Sequence, residues 1–141
     1  MHAYIVDTGI LGNHNDFGGR VSGGYTAISD GRGTTDCNGH GTHVAGTIAG
    51  QIYGVAKQAS VVGVRVLDCA GSGTIAGVVA GVDWVAGQQP GQTKVGNMSL
   101  GGGASGVQDL LTMAVDNLDR ANMVVTISNG NEGPGDRTVG S

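Results

Sequence analysis

The chain has 141 residues, enough for one compact domain with its own core. Glycine supplies 29 of them, far above the ~7% of ordinary globular chains, and charged residues are only 13% against a usual ~25%, which suits tight turns and close-packed small-residue helices. A net charge of −4 without basic clusters leaves no footprint for nucleic acid, and no apolar run approaches the ~20 residues a membrane-spanning helix needs.

Ala3 to Val6 is a short apolar run ending at Asp7-Thr8-Gly9, the pattern of a buried parallel strand with Asp7 at its carboxyl end. Leu11 to Gly24 is polar and glycine-rich, a surface loop leading into a short strand near Val21 to Ala27, and Ser29 to Thr35 is a turn-rich link. Asp36 to Gly50, DCNGHGTHVAGTIAG, then reads as a turn followed by a helix from about Gly41 to Ile52. His40 stands at its N-terminus, where unpaired N–H groups and the backbone dipole act on the imidazole, a position that suits a catalytic base. Ala45, Gly46, Ala49 and Gly50 leave a nearly bare face, so the helix is expected to be buried with His40 turned inward and His43 packed within it. A metal site built on His40, His43 and either Asp36 or Cys37 is the rival. Helical zinc motifs space their histidines at i and i+4 around a glutamate, whereas here Gly-Thr fills a gap of three, and no metal ligand is assigned.

Val61 to Leu67 is a third strand ending at Asp68-Cys69, and Thr74 to Ala86 is a helix with Val78, Val79, Val82 and Val85 along one stripe. Pro90 and Gly91 close that unit. A strand from Val95 to Leu100, a loop from Gly101 to Gly106, a helix from Val107 to Ala121 and a strand from Met123 to Ile127 follow. The alternation predicts a doubly wound parallel α/β sheet, whose ligands bind beyond the carboxyl ends of the strands, where Asp7, Ser99 and Asn131 fall. Gly71, Gly73 and Ala76 also fit a dinucleotide-binding fingerprint, but the strand from Val95 ends in Ser99-Leu100 and lacks its acidic residue.

HGTHVAGT from His40, with YIVDTGI at Tyr4 to Ile10, resembles the subtilisin-like serine proteases, peptidase family S8, and within them the proteinase K-like branch. That resemblance implies a three-layer α/β/α fold. It makes Asp7 the acid that orients the histidine and His40 the general base, in the chain order Asp, His, Ser. Asn131, within Ser128-Asn129-Gly130-Asn131, resembles the oxyanion asparagine, a donor worth ~10² to 10³ in rate in this family. Gly71-Ser72-Gly73 and Ser99-Leu100-Gly101-Gly102 resemble the two edges between which an extended peptide lies as an added strand, with Asn129 and Gly130 beside the primary specificity pocket. Asn129 departs from the small residue usual there.

The family's nucleophile sits in a Gly-Thr-Ser-Met-Ala segment, and no such segment occurs through Ser141. Ser99 and Ser105 each miss a glycine of the G-x-S-x-G elbow and are read as structural. Met1 to Asp7 has neither the basic n-region nor the apolar h-region of a signal peptide. The expectation is therefore a catalytic domain incomplete at both ends, inactive as it stands, and drawn from a secreted endopeptidase. Its implied partners are polypeptide substrates and a propeptide in the precursor, and the completed protein is expected to be a monomer. The chemistry would need no cofactor, and structural calcium is left without a site because no acidic loop has ligand spacing. A pseudoenzyme or peptide-binding remnant is the alternative. The resemblance also implies a disulfide between Cys37 and Cys69, with two buried thiols as the alternative.

Overall fold

The computed structural model describes residues 1–88, 91–101, 108–131 and 133–134, so that Pro90, Gly102, Ser105, Gly106 and Val107 lie outside the described residues. Five strands form one sheet: β1 (His2–Asp7), β2 (Val21–Thr26), β3 (Ser60–Arg65), β4 (Lys94–Met98) and β5 (Val124–Ile127). Their order is β2-β3-β1-β4-β5, and every pair runs parallel. The helices α1 (His40–Ala49), α2 (Ile75–Ala86) and α3 (Gln108–Arg120) make the crossovers between β2 and β3, β3 and β4, and β4 and β5. β1 is the central strand, and the winding reverses across it, so the carboxyl end of β1 opens onto the crevice where such sheets bind ligands.

Alternation along β1 builds the three layers. Ala3 and Ile5 pack with Ala45 and Ala49 of α1 and with Ile10, Phe17 and Val61 on one face. Tyr4 and Val6 join Val78, Val82 and Val85 of α2 and Ala114 and Leu118 of α3 on the other. By the same period Asp7 falls on the α1 face. It pairs in register with Arg65 of β3, which lies on that face too. The doubly wound parallel α/β sheet expected from the sequence, with helices packed on both of its faces, is the observed architecture.

Several details differ from the expectations. α1 ends at Ala49 and not near Ile52, because Gly50 turns extended (φ −61°, ψ 145°). Only one face of α1 is covered: Gly41, Ala45 and Ala49, four residues apart, are buried, while His43 sits on the opposite side, exposed. The expectations that the helix is buried throughout and that His43 packs within it are therefore corrected. β4 stops at Met98, leaving Ser99 to Gly101 outside the strand. The polar loop after β1 contains a single 3₁₀ turn, Asn15–Phe17, that delivers Phe17 to the core at 1% exposure.

Candidate active site

The expected acid and base meet at the carboxyl rim of β1. His40 Nδ1 lies 2.8 Å from Asp7 Oδ1, and the same oxygen accepts the Thr8 N–H at 2.7 Å. A carboxylate can only accept, so Nδ1 carries the proton toward Asp7 and the neutral ring keeps Nε2 as its free basic nitrogen. Burial of the pair is unequal. The Asp7 side chain is 0% exposed and that of His40 is 51% exposed, which corrects the inward-facing histidine: the ring rests on a buried anion at one nitrogen and is open on its other side. Asp7 Oδ2 is buried with no hydrogen-bond partner among the described residues, so the interactions of this carboxylate are concentrated on the oxygen that faces His40.

What holds the two together is Asp36, which sequence reasoning weighed only as a metal ligand. Its Oδ1 accepts the Thr8 hydroxyl at 2.9 Å and the N–H groups of Asn38 at 2.9 Å and Gly39 at 3.0 Å. Its Oδ2 accepts the N–H of Thr42 at 3.0 Å and the Thr42 hydroxyl at 2.5 Å. The Thr8 oxygen in turn accepts the Gly41 N–H at 2.9 Å. One carboxylate thus satisfies free donors at the start of α1 while clamping the residue next to Asp7. Burial pushes the Asp36 carboxyl up, but the bonds from Thr42, Gly39 and Asn38 outweigh it and leave the group below its ordinary pKa. With five donors on its two oxygens it offers no ready metal ligand. Gly41 is the steric condition for the same junction, since a Cβ there would stand 2.1 Å from the Gly9 carbonyl oxygen. A Thr in the first helical turn four residues before a small-residue face, preceded by Asp and a glycine-rich turn, was the sequence signal for this cap.

The predicted peptide-binding segments gather on the same rim. A cavity of about 410 Å³ lies between α2 and α3, and Ser72, Gly73, Leu100 and Gly101 line it together with apolar side chains such as Ile75 and Leu111. Gly71 (φ +81°) stands in a tight loop closed by the Asp68 N–H to Ser72 oxygen bond of 2.8 Å, so this segment is a turn and not a laddered strand. Ser99 accepts the Asn97 amide at 2.8 Å. The Ser128 N–H donates to Met98 oxygen at 3.1 Å and its hydroxyl to Leu100 oxygen at 3.1 Å, which ties the segment carrying Asn129, Gly130 and Asn131 to the end of β4. Asn131 is exposed in the turn after β5, at the carboxyl rim but without a hydrogen bond to Asp7 or His40.

Cys37 and Cys69 form a disulfide, with Cα atoms 5.0 Å apart and a sequence separation of 32. The reading of two buried thiols is set aside, and Cys37 is no longer a candidate thiolate ligand. In the chain-entropy picture a loop of that length stabilises by ~3 to 4 kcal/mol. It joins the turn before His40 to the end of β3, where Asn38 also donates to the Cys69 oxygen at 3.0 Å.

A buried aspartate bonded to the imidazole of a helix-initiating histidine, on the rim of a doubly wound parallel sheet, is an arrangement in which a carboxylate fixes the orientation of an imidazole. The profile of the subtilase family, peptidase S8, matches residues 4–141. The chain is 54% identical over 132 residues to an extracellular serine proteinase of Thermus sp., an alignment covering 94% of this chain and 31% of the relative. It is 58% identical over 103 residues to alkaline serine exoprotease A of Vibrio alginolyticus, covering 73% and 19%. The crystal structure of a cold adapted subtilisin-like serine proteinase superposes with a TM-score of 0.86 at 50% identity, covering 93% of this chain and 46% of that one. The chain belongs to the subtilase family. It spans about a third or less of the length of these two curated relatives.

Proposed function

We propose that the chain is the acid-and-base portion of a secreted serine endopeptidase acting on polypeptides. Asp7 holds His40 in the tautomer whose Nε2 accepts a proton from a serine, and stabilises the imidazolium that forms. Asn131 supplies the neutral donor for the oxyanion. An extended substrate lies between Gly71-Ser72-Gly73 and Ser99-Leu100-Gly101-Gly102, with a side chain in the cavity between α2 and α3 and Asn129 and Gly130 beside the primary pocket. The observation that carries the reading is the 2.8 Å contact from His40 Nδ1 to a carboxylate with no exposure. The disulfide and the extracellular naming of the Thermus relative support export to an oxidising compartment.

None of the 141 residues forms the Gly-Thr-Ser segment, and this reading has the serine supplied by another part of the protein. A propeptide in the precursor and a monomeric finished enzyme follow from the same reading. The chemistry asks for no cofactor, and calcium would be structural. The test has two arms. The chain alone should turn over a chromogenic peptide about 10⁶-fold more slowly than a complete family member, the factor that loss of the nucleophile costs. Grafted in place of the matching segment of the Thermus proteinase, it should give an active enzyme. A cooperatively melting chimera without activity would favour the pseudoenzyme alternative, and brisk turnover by the chain alone would overturn the division of the site.

A further inference from the structure

The disulfide has an unusual neighbour. Arg65, whose side chain is 0% exposed, stands at the end of β3 and aims Nη2 at the two sulfurs, 3.4 Å from Cys37 Sγ and 3.9 Å from Cys69 Sγ. Its partner is Asp30, which takes Nη1 at 2.7 Å and Nη2 at 2.6 Å. Nη1 also donates to the Gly33 oxygen at 3.2 Å. Arg65 Nε is buried with no partner among the described residues. A neutral disulfide sulfur is a weak acceptor, so a buried guanidinium directed at it gains little in the oxidised state. The same geometry gains far more if the sulfur is an anion. The two sulfurs also differ in access: Cys69 is exposed and Cys37 half-buried.

We infer that Cys37–Cys69 is an exchangeable disulfide and Cys69 a site of S-thiolation by low-molecular-weight thiols, with Arg65 receiving the leaving sulfur of Cys37. A small thiolate attacks Cys69 Sγ. A new S–S bond forms to the small thiol as the Cys37–Cys69 bond breaks, and the bonding pair departs on Cys37 Sγ as a thiolate. Leaving is faster the better the departing anion is stabilised, and the Arg65 guanidinium lies at hydrogen-bond distance from that sulfur. A second molecule of the small thiol then attacks the adduct, leaving Cys69 reduced and the small thiol oxidised to its own disulfide. Asp30 works against the step by neutralising Arg65, and Asp36 and Asp68 also lie within electrostatic reach of the guanidinium. The carboxylate of Asp30 is therefore the brake and Arg65 the accelerator. Nothing in this depends on proteolysis.

The full chain is incubated with reduced glutathione, quenched with N-ethylmaleimide and mapped by mass spectrometry, its fold checked by circular dichroism. Glutathione should appear on Cys69 and maleimide on Cys37, in excess of about tenfold over the reverse pattern. Asp30→Asn, which frees the guanidinium, should speed adduct formation about 3- to 10-fold. Asp30→Asn with Arg65→Gln should return the rate to or below that of the unaltered chain and scatter the adduct over both sulfurs. Glutathione found on Cys37 or equally on both in the unaltered chain, or an Asp30→Asn rate unchanged or slower, overturns the assignment, and neither result requires the double variant to fold.

Discussion

At the corner where β1 meets α1, every element is tied: Asp7 is wholly buried, Asp36 takes five hydrogen bonds, and Gly41 presses against the Gly9 carbonyl. At the opposite side of the sheet, β5 is the outer strand with Val124 69% and Ile127 48% exposed, and α3 leaves Leu110 and Met113 in solvent. The first region is closed by residues within some 40 positions of one another. The second presents apolar surface that its own neighbours in sequence do not cover. The contrast sets a tightly bonded corner against an open apolar edge. Orienting a histidine needs short, saturated, charge-assisted bonds, and here the turn after β1 and the start of α1 supply them. On the β5 side apolar side chains stay exposed among the described residues.

The sharpest way to break this contrast is to attack the closed corner in the Thermus chimera. Asp7→Asn keeps the shape but removes the anion that selects the Nδ1–H tautomer, and turnover should fall by ~10⁴ with little change in melting temperature. A loss smaller than tenfold would show that the 2.8 Å contact does not govern the imidazole. Next in size is Gly41→Ala. The new methyl meets the backbone oxygen of Gly9, and overpacking of that kind should cost about 3 kcal/mol in a thermal melt; an unchanged melt would mean the α1 junction is loosely held after all.

The Asp36 network gives a pH signature. Its carboxyl titrates below the ordinary value in the folded state, so its contribution is present above the unfolded pKa of about 4 and is lost as pH falls through the folded value. Asp36→Asn should remove about 2 kcal/mol at neutral pH and flatten the acid side of the stability profile, measured by denaturant melts between neutrality and acid. If the variant loses stability equally at every pH, the charge on Asp36 is not what holds the corner. The smallest effect belongs to the open side. Val124→Lys adds an exposed charge to the edge strand and should reduce self-association of the chain in light scattering, with stability altered by only about 0.5 kcal/mol.

Much of the corner was legible before any coordinates. Asp7 at the end of an apolar run and His40 after a glycine-rich turn are local patterns, and the alternation of strands and helices fixed which ends of the strands share a rim. Asp36 was missed because its role depends on Thr8, distant in sequence, and a carboxylate beside a cysteine and two histidines drew attention as a possible ligand. His43 was misplaced although the spacing was available: Gly41, Ala45 and Ala49 mark the buried stripe of α1 at every fourth position, and His43 lies half a turn away from it. Phe17 escaped because a single aromatic in a polar loop has no periodicity to betray it. Gly102 lies outside the described residues.

The amino-acid sequence by itself determined the parallel α/β layering and membership of a family, because hydrophobic period and short glycine-bearing motifs are properties of neighbouring residues. The tertiary structure alone decided that Cys37 joins Cys69, that Arg65 faces their sulfurs, and that one aspartate clamps a strand end to a helix start. Those are distances between segments some 30 positions apart, set by how sheet and helices pack, and no local pattern encodes them.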